Sequence, residues 1–282
     1  MTRSYKTILV HCDASNSVAR RLDVAAEMAA RFDGHLIGVH PRPPFEAPVY
    51  LDAGSGFPID DFFASYQKAV KADEAAASST FAKAIKGKNF PTEWRVVDGY
   101  ADVQMIVQAR YADLAVIGQS EAEQKAATPT DLPEAVALAT GRPVLVVPHI
   151  GVRRPPGKVV LLCWNASREA ARAASDALPF LKAADKVIVL VVEPKTSAAG
   201  HGAEPGSDVA TWLSRHGAKV VVRREPAPDS DVGAVILSRA ADYDVDLIVM
   251  GIYGHSRMRE MVLGGASREL LSSMTVPLLI SH

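Results

Sequence analysis

Two cysteines in 282 residues leave little room for a disulfide framework. Cys12 and Cys163 both sit in apolar, strand-like runs, which reads as buried thiols in a reducing compartment rather than as a bridge or a zinc site. Charge of one sign is equally scarce. Lys and Arg number 31 against 32 Asp and Glu, a net charge of −1, and neither half carries a long basic block. That excludes a nucleic-acid grip built on phosphate neutralisation. No apolar stretch approaches the ~18 residues of a membrane span. The opening "MTRSYKTILVHCD" runs straight into a strand-like segment instead of a signal peptide. Several chemical signatures are missing as well: no GxxxxGK(S/T) loop, no GxGxxG after the first strand, no HExxH, CxxC or GxSxG. What the chain does have is 48% hydrophobic residues against 22% charged, enough for a large core and too apolar for a disordered chain.

The chain is written twice. "TILVHCDAS" (Thr7 to Ser15) matches "VVLLCWNAS" (Val159 to Ser167), and each precedes an alanine-rich amphipathic stretch, "SVARRLDVAAEMAARF" and "REAARAASDALPFLKAA". "GHLIGVHP" answers "KVIVLVVEP", "ADLAVIGQS" answers "VDLIVMGIYG", and "GRPVLVVPH" answers "MTVPLLISH". The order is preserved, so a whole domain is duplicated. The strands are unbroken Val/Ile/Leu runs, which means burial on both faces and a parallel sheet covered by helices. The expected fold is α/β: two tandem doubly wound domains over 1–150 and 157–282, each with about five mainly parallel strands and helices on both faces. Their boundary falls in the Pro- and Gly-rich "GVRRPPG". An extra segment, "RPPFEAPVYLDAGSGFPIDD", reads as a surface loop, with a lid or an interface arm as the alternative.

Ligands of open parallel α/β sheets bind beyond the carboxyl ends of strands, where strand order reverses. Residues just after strands are therefore the candidates: Asp13 and Asn165 after the first strand of each half, Gly118 and Gly251 after the fourth. In the second half Gly251 and Gly254 permit a sharp turn that leaves backbone N–H groups uncovered. Gly264 and Gly265 fall at the start of the following helix, where free N–H groups and the helix dipole favour anions. Ser267 in its first turn is either a phosphate ligand or a cap. His255, Ser256, Arg257 and Arg259 add donors and positive charge between the glycine pairs. The alternative is ordinary turn chemistry, which an isolated GxxG would favour.

"GIYGHSRMREMVLGGAS" resembles the universal stress protein pattern Gly-x2-Gly-x9-Gly-(Ser/Thr) in all but its last element, and the likeness extends over the entire chain as two copies. The resemblance implies a fold like that of the adenine nucleotide alpha hydrolases and a cytoplasmic role in stress adaptation. It implies pairing through the last strands, and ATP as ligand in some members but not in others. Adenine contacts are implied at Trp164, Asn165 and Val192. Ribose and phosphate contacts are implied along Met250, Gly251, Tyr253, Gly254, His255, Ser256, Arg257, Gly264, Gly265, Ala266 and Ser267. Two positions depart from the pattern: the family's β1 aspartate is Asn165, and the hydroxyl residue after the third glycine is Gly265. Mg2+ is left open, and no residue set reads as catalytic or as a metal site.

The first half shows the opposite loss, with Asp13, Ser15, Val39 and Gly118 as a vestigial site. Its second glycine is absent, and Glu121, Glu123 and Asp131 fall where a phosphate would lie, so this copy reads as structural, with Asp13 as a cap for the next helix. His11 and His40 could join Asp13 around a metal, or sit as buried histidines; Trp164 could stack on a base or belong to the core. Three functions follow: an ATP-binding module without efficient hydrolysis, a nucleotide-free interaction protein, or a slow ATPase. The two last strands are expected to meet across a pseudo-twofold axis as an intramolecular pseudo-dimer, and a further homodimer is left open, as are protein partners.

Overall fold

The computed structural model describes residues 4–46, 59–120, 132–192, 203–226, 231–252 and 265–282. The first half runs β1(Thr7–His11), α1(Val18–Phe32), β2(His35–Arg42), α2(Ile59–Ile85), β3(Thr92–Asp98), α3(Ala101–Ala109), β4(Leu114–Gly118), α4(Leu132–Thr140) and β5(Val144–Val147). The second runs β6(Val159–Cys163), α5(Arg168–Asp176), α6(Leu178–Ala183), β7(Lys186–Val192), α7(Ser207–Arg215), β8(Val220–Glu225), α8(Val232–Asp242), β9(Leu247–Gly251), α9(Gly265–Ser273) and β10(Leu278–Ser281). The ten strands among the described residues form one sheet in the order β3-β2-β1-β4-β5-β10-β9-β6-β7-β8.

Each half is parallel, as its apolar strands require, and the halves join where β5 and β10 pair antiparallel, with Leu279 opposite Leu145. The expected meeting of the last strands is thus part of the fold. Side chains alternate between two cores. Ile8, Val10, Val160 and Leu162 face the layer of α1, α2, α5, α6 and α7. Leu9 and Leu161 face α3, α4, α8 and α9. Both cores run through the two halves, so the junction is a continuation of the interior. The linker is pinned as well. Asp246 accepts the backbone N–H groups of Gly157 (2.7 Å) and Lys158 (2.9 Å) and pairs with Arg154 (2.8 Å).

Three details differ from the sequence reading. The alanine-rich stretch after β6 is two helices, because Pro179 in the first turn of α6 has no N–H to continue α5. The segment read as a loop from Arg42 to Asp61 is shorter, since β2 includes Arg42 and α2 begins at Ile59; residues 47–58 lie outside those described. Val39 is not at the end of β2. It is fully buried and opposite His11, while the strand continues three residues to Arg42.

Candidate functional site

In each half the strand order reverses between the first and fourth strands, so the crevice for a ligand opens where β1 and β4, or β6 and β9, end. Asp13 and Gly118 flank the first crevice, Asn165 and Gly251 the second. The two are built differently.

In the second half the chain leaves β6 at Trp164, whose N–H donates to Leu190 O (2.9 Å). Trp164 is half-buried and packs on the core, while Asn165 is exposed. Asn165 Oδ1 accepts the N–H of Ser167 (3.1 Å), and between them Ala166 adopts φ 58°, a left-handed conformation that a Cβ disfavours. The chain can then enter α5 at once, with Ser167 as its N-cap accepting from Ala170 N (3.1 Å). The first turn of α5 consequently lies on the end of β9. A Cβ on Gly251 would stand 2.5 Å from Ala170 N and 2.6 Å from Glu169 O, so only glycine fits. Glu169 comes with that turn. It is 2% exposed, its Oε1 takes Arg168 Nε (2.6 Å), and its Oε2 has no hydrogen-bond partner. Burial pushes its carboxyl up, but the Arg168 bond and neighbouring donors outweigh this and hold it below the usual range.

Met250 is buried in β9, and Val192, half-buried, ends β7. After Gly251 the chain reaches α9 at Gly265, with Ala266 and the buried Ser267 in its first turn. Tyr253, Gly254, His255, Ser256, Arg257 and Gly264, together with Arg259, lie outside the described residues.

In the first half α1 starts at Val18, two residues later in the repeat than α5. The vacated place is filled by a side chain. Arg21, only 3% exposed, extends to Asp13 (Nη2 to Oδ1, 2.8 Å), and its Nη1 sits where a Cβ on Gly118 would be. Asp13 also accepts the N–H (3.1 Å) and Oγ–H (2.5 Å) of Ser15. Burial raises its carboxyl, yet Arg21, then His11 and Ser15, hold it well below the ordinary carboxylate range. Asp13 is therefore an ion-pair partner, not the helix cap expected of it; the buried cation in the first turn of α1 outcompetes the cap because a charge-assisted bond is the stronger one. His11 is buried and 3.6 Å from Asp13 Oδ2; burial pushes its pKa down to about 4. His40 directs Nδ1 to Cys12 O (2.8 Å). Among the described residues no three His, Cys, Asp or Glu side chains converge as metal ligands. The same burial lifts the thiols of Cys12 and Cys163 to about 12. Glu121, Glu123 and Asp131 lie outside the described residues.

Arg21 and Glu169 were missed in the sequence. Each is a charged residue on the apolar stripe of its helix, and that interruption was the signal available.

The universal stress protein family model matches residues 4–148 and again 157–282. The chain belongs to the universal stress protein family. It is a tandem member, its two matches covering the two halves of the ten-stranded sheet. Among solved structures, a universal stress protein from Archaeoglobus fulgidus DSM 4304 aligns with 98% of this chain and 95% of its own, at 17% identity and a TM-score of 0.71. A functionally unknown protein from Pseudomonas aeruginosa PAO1 aligns with 98% and 92%, at 14% identity and a TM-score of 0.60. At such identities the likeness is one of fold, and it extends over both halves together. No curated protein matches the sequence. Among the described residues no helix is long and apolar enough to cross a membrane.

Proposed function

We propose that this universal stress protein is a cytoplasmic regulatory module that binds ATP at the carboxyl end of its second half-sheet and does not turn it over efficiently. The observation carrying the reading is the difference between the two crevices. Arg21 and Asp13 occupy the first with each other, whereas Asn165 beside the second is exposed and carries no charge. The G-x2-G-x9-G spacing supports the same reading: it leaves β9 at Gly251 and ends at α9, whose first-turn N–H groups have no partners within the helix. The adenine would meet Trp164, Asn165 and Val192; the phosphates would meet the loop residues from Gly254 to Gly264 and the start of α9 from Gly265 to Ser267. The sequence motifs offer no general base and no metal-binding carboxylate pair beside Gly251, which is why fast hydrolysis is left out. The two free thiols suit the reducing compartment.

A second reading, a nucleotide-free interaction protein, is favoured by Glu169. A buried carboxylate with an unpartnered oxygen, on a residue whose main chain packs against Gly251, opposes an uncompensated triphosphate. Mass spectrometry of protein purified without added nucleotide, then a thermal shift with ATP with and without Mg2+, separates the readings. At ligand near 100 Kd, binding adds about 2.7 kcal/mol of stability. Gly254→Val and Gly264→Val are expected to abolish the shift and Gly118→Val to leave it. No shift in the native protein would favour the second reading; phosphate release above background would bring forward a slow ATPase.

A further inference from the structure

The residue after Gly118 does something its counterpart in the second half cannot. Gln119 continues the β4 ladder, its N–H donating to Val147 O (2.8 Å), and its side chain is 5% exposed. That side chain crosses the junction. Nε2 donates to Leu271 O (2.9 Å) and Ser272 O (3.0 Å), two carbonyls of the last turn of α9. Such carbonyls have no partner within their own helix. Oε1 accepts the N–H of His149 (3.1 Å) and lies 2.7 Å from His149 Nδ1. Since Oε1 can only accept, Nδ1 is the protonated ring nitrogen, and the amide's two donors and its oxygen are all engaged. His149 is held in turn by Arg20 on α1, whose Nη1 donates to His149 O. Arg21, next on that helix, packs over Gly118.

At the equivalent position after Gly251 stands Ile252, fully buried, with no side-chain group to cap anything. The link is one-sided. A nine-residue helix is a short rigid rod of about 14 Å, so fixing its carboxyl end fixes the direction of its amino end.

We propose that Gln119 is a positioning residue, an amide clamp through which the first half sets the orientation of α9 and so the affinity of the site at its amino end. The first half lacks the second glycine of the pattern, and the residue after Gly118 serves its neighbour instead. The affinity part rests on the ATP-binding reading above; the clamp itself does not.

The test uses the full chain with Gln119→Met, close in length and without amide groups. Backbone hydrogen exchange and ATP titration are both measured. Amides of α9 are expected to lose protection about tenfold while β1, β2 and β4 keep theirs, and ATP affinity to fall about tenfold with no change in site number. Unchanged α9 exchange overturns the clamp, and loosened α9 with unchanged affinity overturns its positioning role. An affinity loss without any change in α9 exchange would equally sink the proposed route. Should the native chain bind no ATP, the functional reading fails while exchange still decides the clamp. If Gln119→Met does not fold, His149→Ala takes its place: it frees Oε1 and leaves the α9 bonds, so a smaller loosening of α9 in the same direction is expected, and none would overturn the clamp.

Discussion

The two crevices descend from one pattern, and the way they differ shows how small a local change separates a gap filled by a side chain from one filled by main chain. Both begin with a strand, an Asx and Ala-Ser. In the second copy Ala166 turns left-handed, Ser167 caps α5 immediately, and helix backbone covers Gly251. In the first, α1 starts two residues later, and the space above Gly118 goes to the Arg21 guanidinium, neutralised by Asp13. Backbone fills one gap and a side chain the other. An acid after the first strand therefore belongs with a buried cation, and an amide suffices where there is none.

Exchanging those two residues is the harshest way to break the comparison. Asp13→Asn keeps the acceptor for Ser15 but leaves Arg21 buried without a counter-charge, and breaking such a pair costs about 3–5 kcal/mol. Asp13 is partly exposed, which places the expectation at the low end of that range. Asn165→Asp meets no buried cation among the described residues and carries its charge near the start of α5; a change within about 0.5 kcal/mol is expected. Urea denaturation of both variants decides the matter. Equal losses would mean that Arg21 and Asp13 do not act as a pair.

Acid offers a second separation. The folded protein holds His11 neutral down to about pH 4, while the unfolded chain takes up the proton near the ordinary value of 6.5. Between those values the unfolded state binds the extra proton, so stability is complete above pH 6.5 and declines as pH falls toward 4, by on the order of 3 kcal/mol. At the repeat-equivalent position the second half has Cys163, whose thiol is pushed up to about 12 and does not titrate there. His11→Gln is expected to flatten the decline between pH 6.5 and 4, leaving the carboxylate losses that set in lower. An unaltered slope in the variant would assign the acid sensitivity elsewhere.

Much of the architecture was legible because it depends on patterns that tolerate local error. Unbroken apolar runs dictated a covered parallel sheet, and the order of matched segments dictated two copies. The site was less legible because it depends on register. Matching Pro41 with Pro194 makes Val39 and Val192 look equivalent, yet the ladders set His11 opposite Val39 and Cys163 opposite Leu190. The counterpart of Val192 is Pro41, two residues on. Likewise no spacing rule announces that Ala166 takes a positive φ, and the earlier start of α5 follows from that one dihedral. Gln119 was invisible for another reason: its partners are 152 and 153 residues away, across a junction that only the paired last strands create.

The mildest test asks what yields when each crevice glycine gains a methyl group. At Gly251 the obstacle is the backbone of Glu169 and Ala170, so Gly251→Ala must displace α5; overpacking of this kind costs about 1–3 kcal/mol. At Gly118 it is the tip of Arg21, which can swing aside at the cost of straining its bond to Asp13. Gly118→Ala is accordingly expected to cost less, and in an Arg21→Met background its cost should shrink further, since the colliding Nη1 is gone. No side-chain truncation at Glu169 should relieve Gly251→Ala in the same way, because the collision is with main chain. A double-mutant cycle on Gly118 and Arg21, set beside one on Gly251 and Glu169, measures the contrast directly. Coupling in the first and none in the second is what side-chain filling against backbone filling requires; coupling of equal size in both would mean the two pockets are closed by the same means.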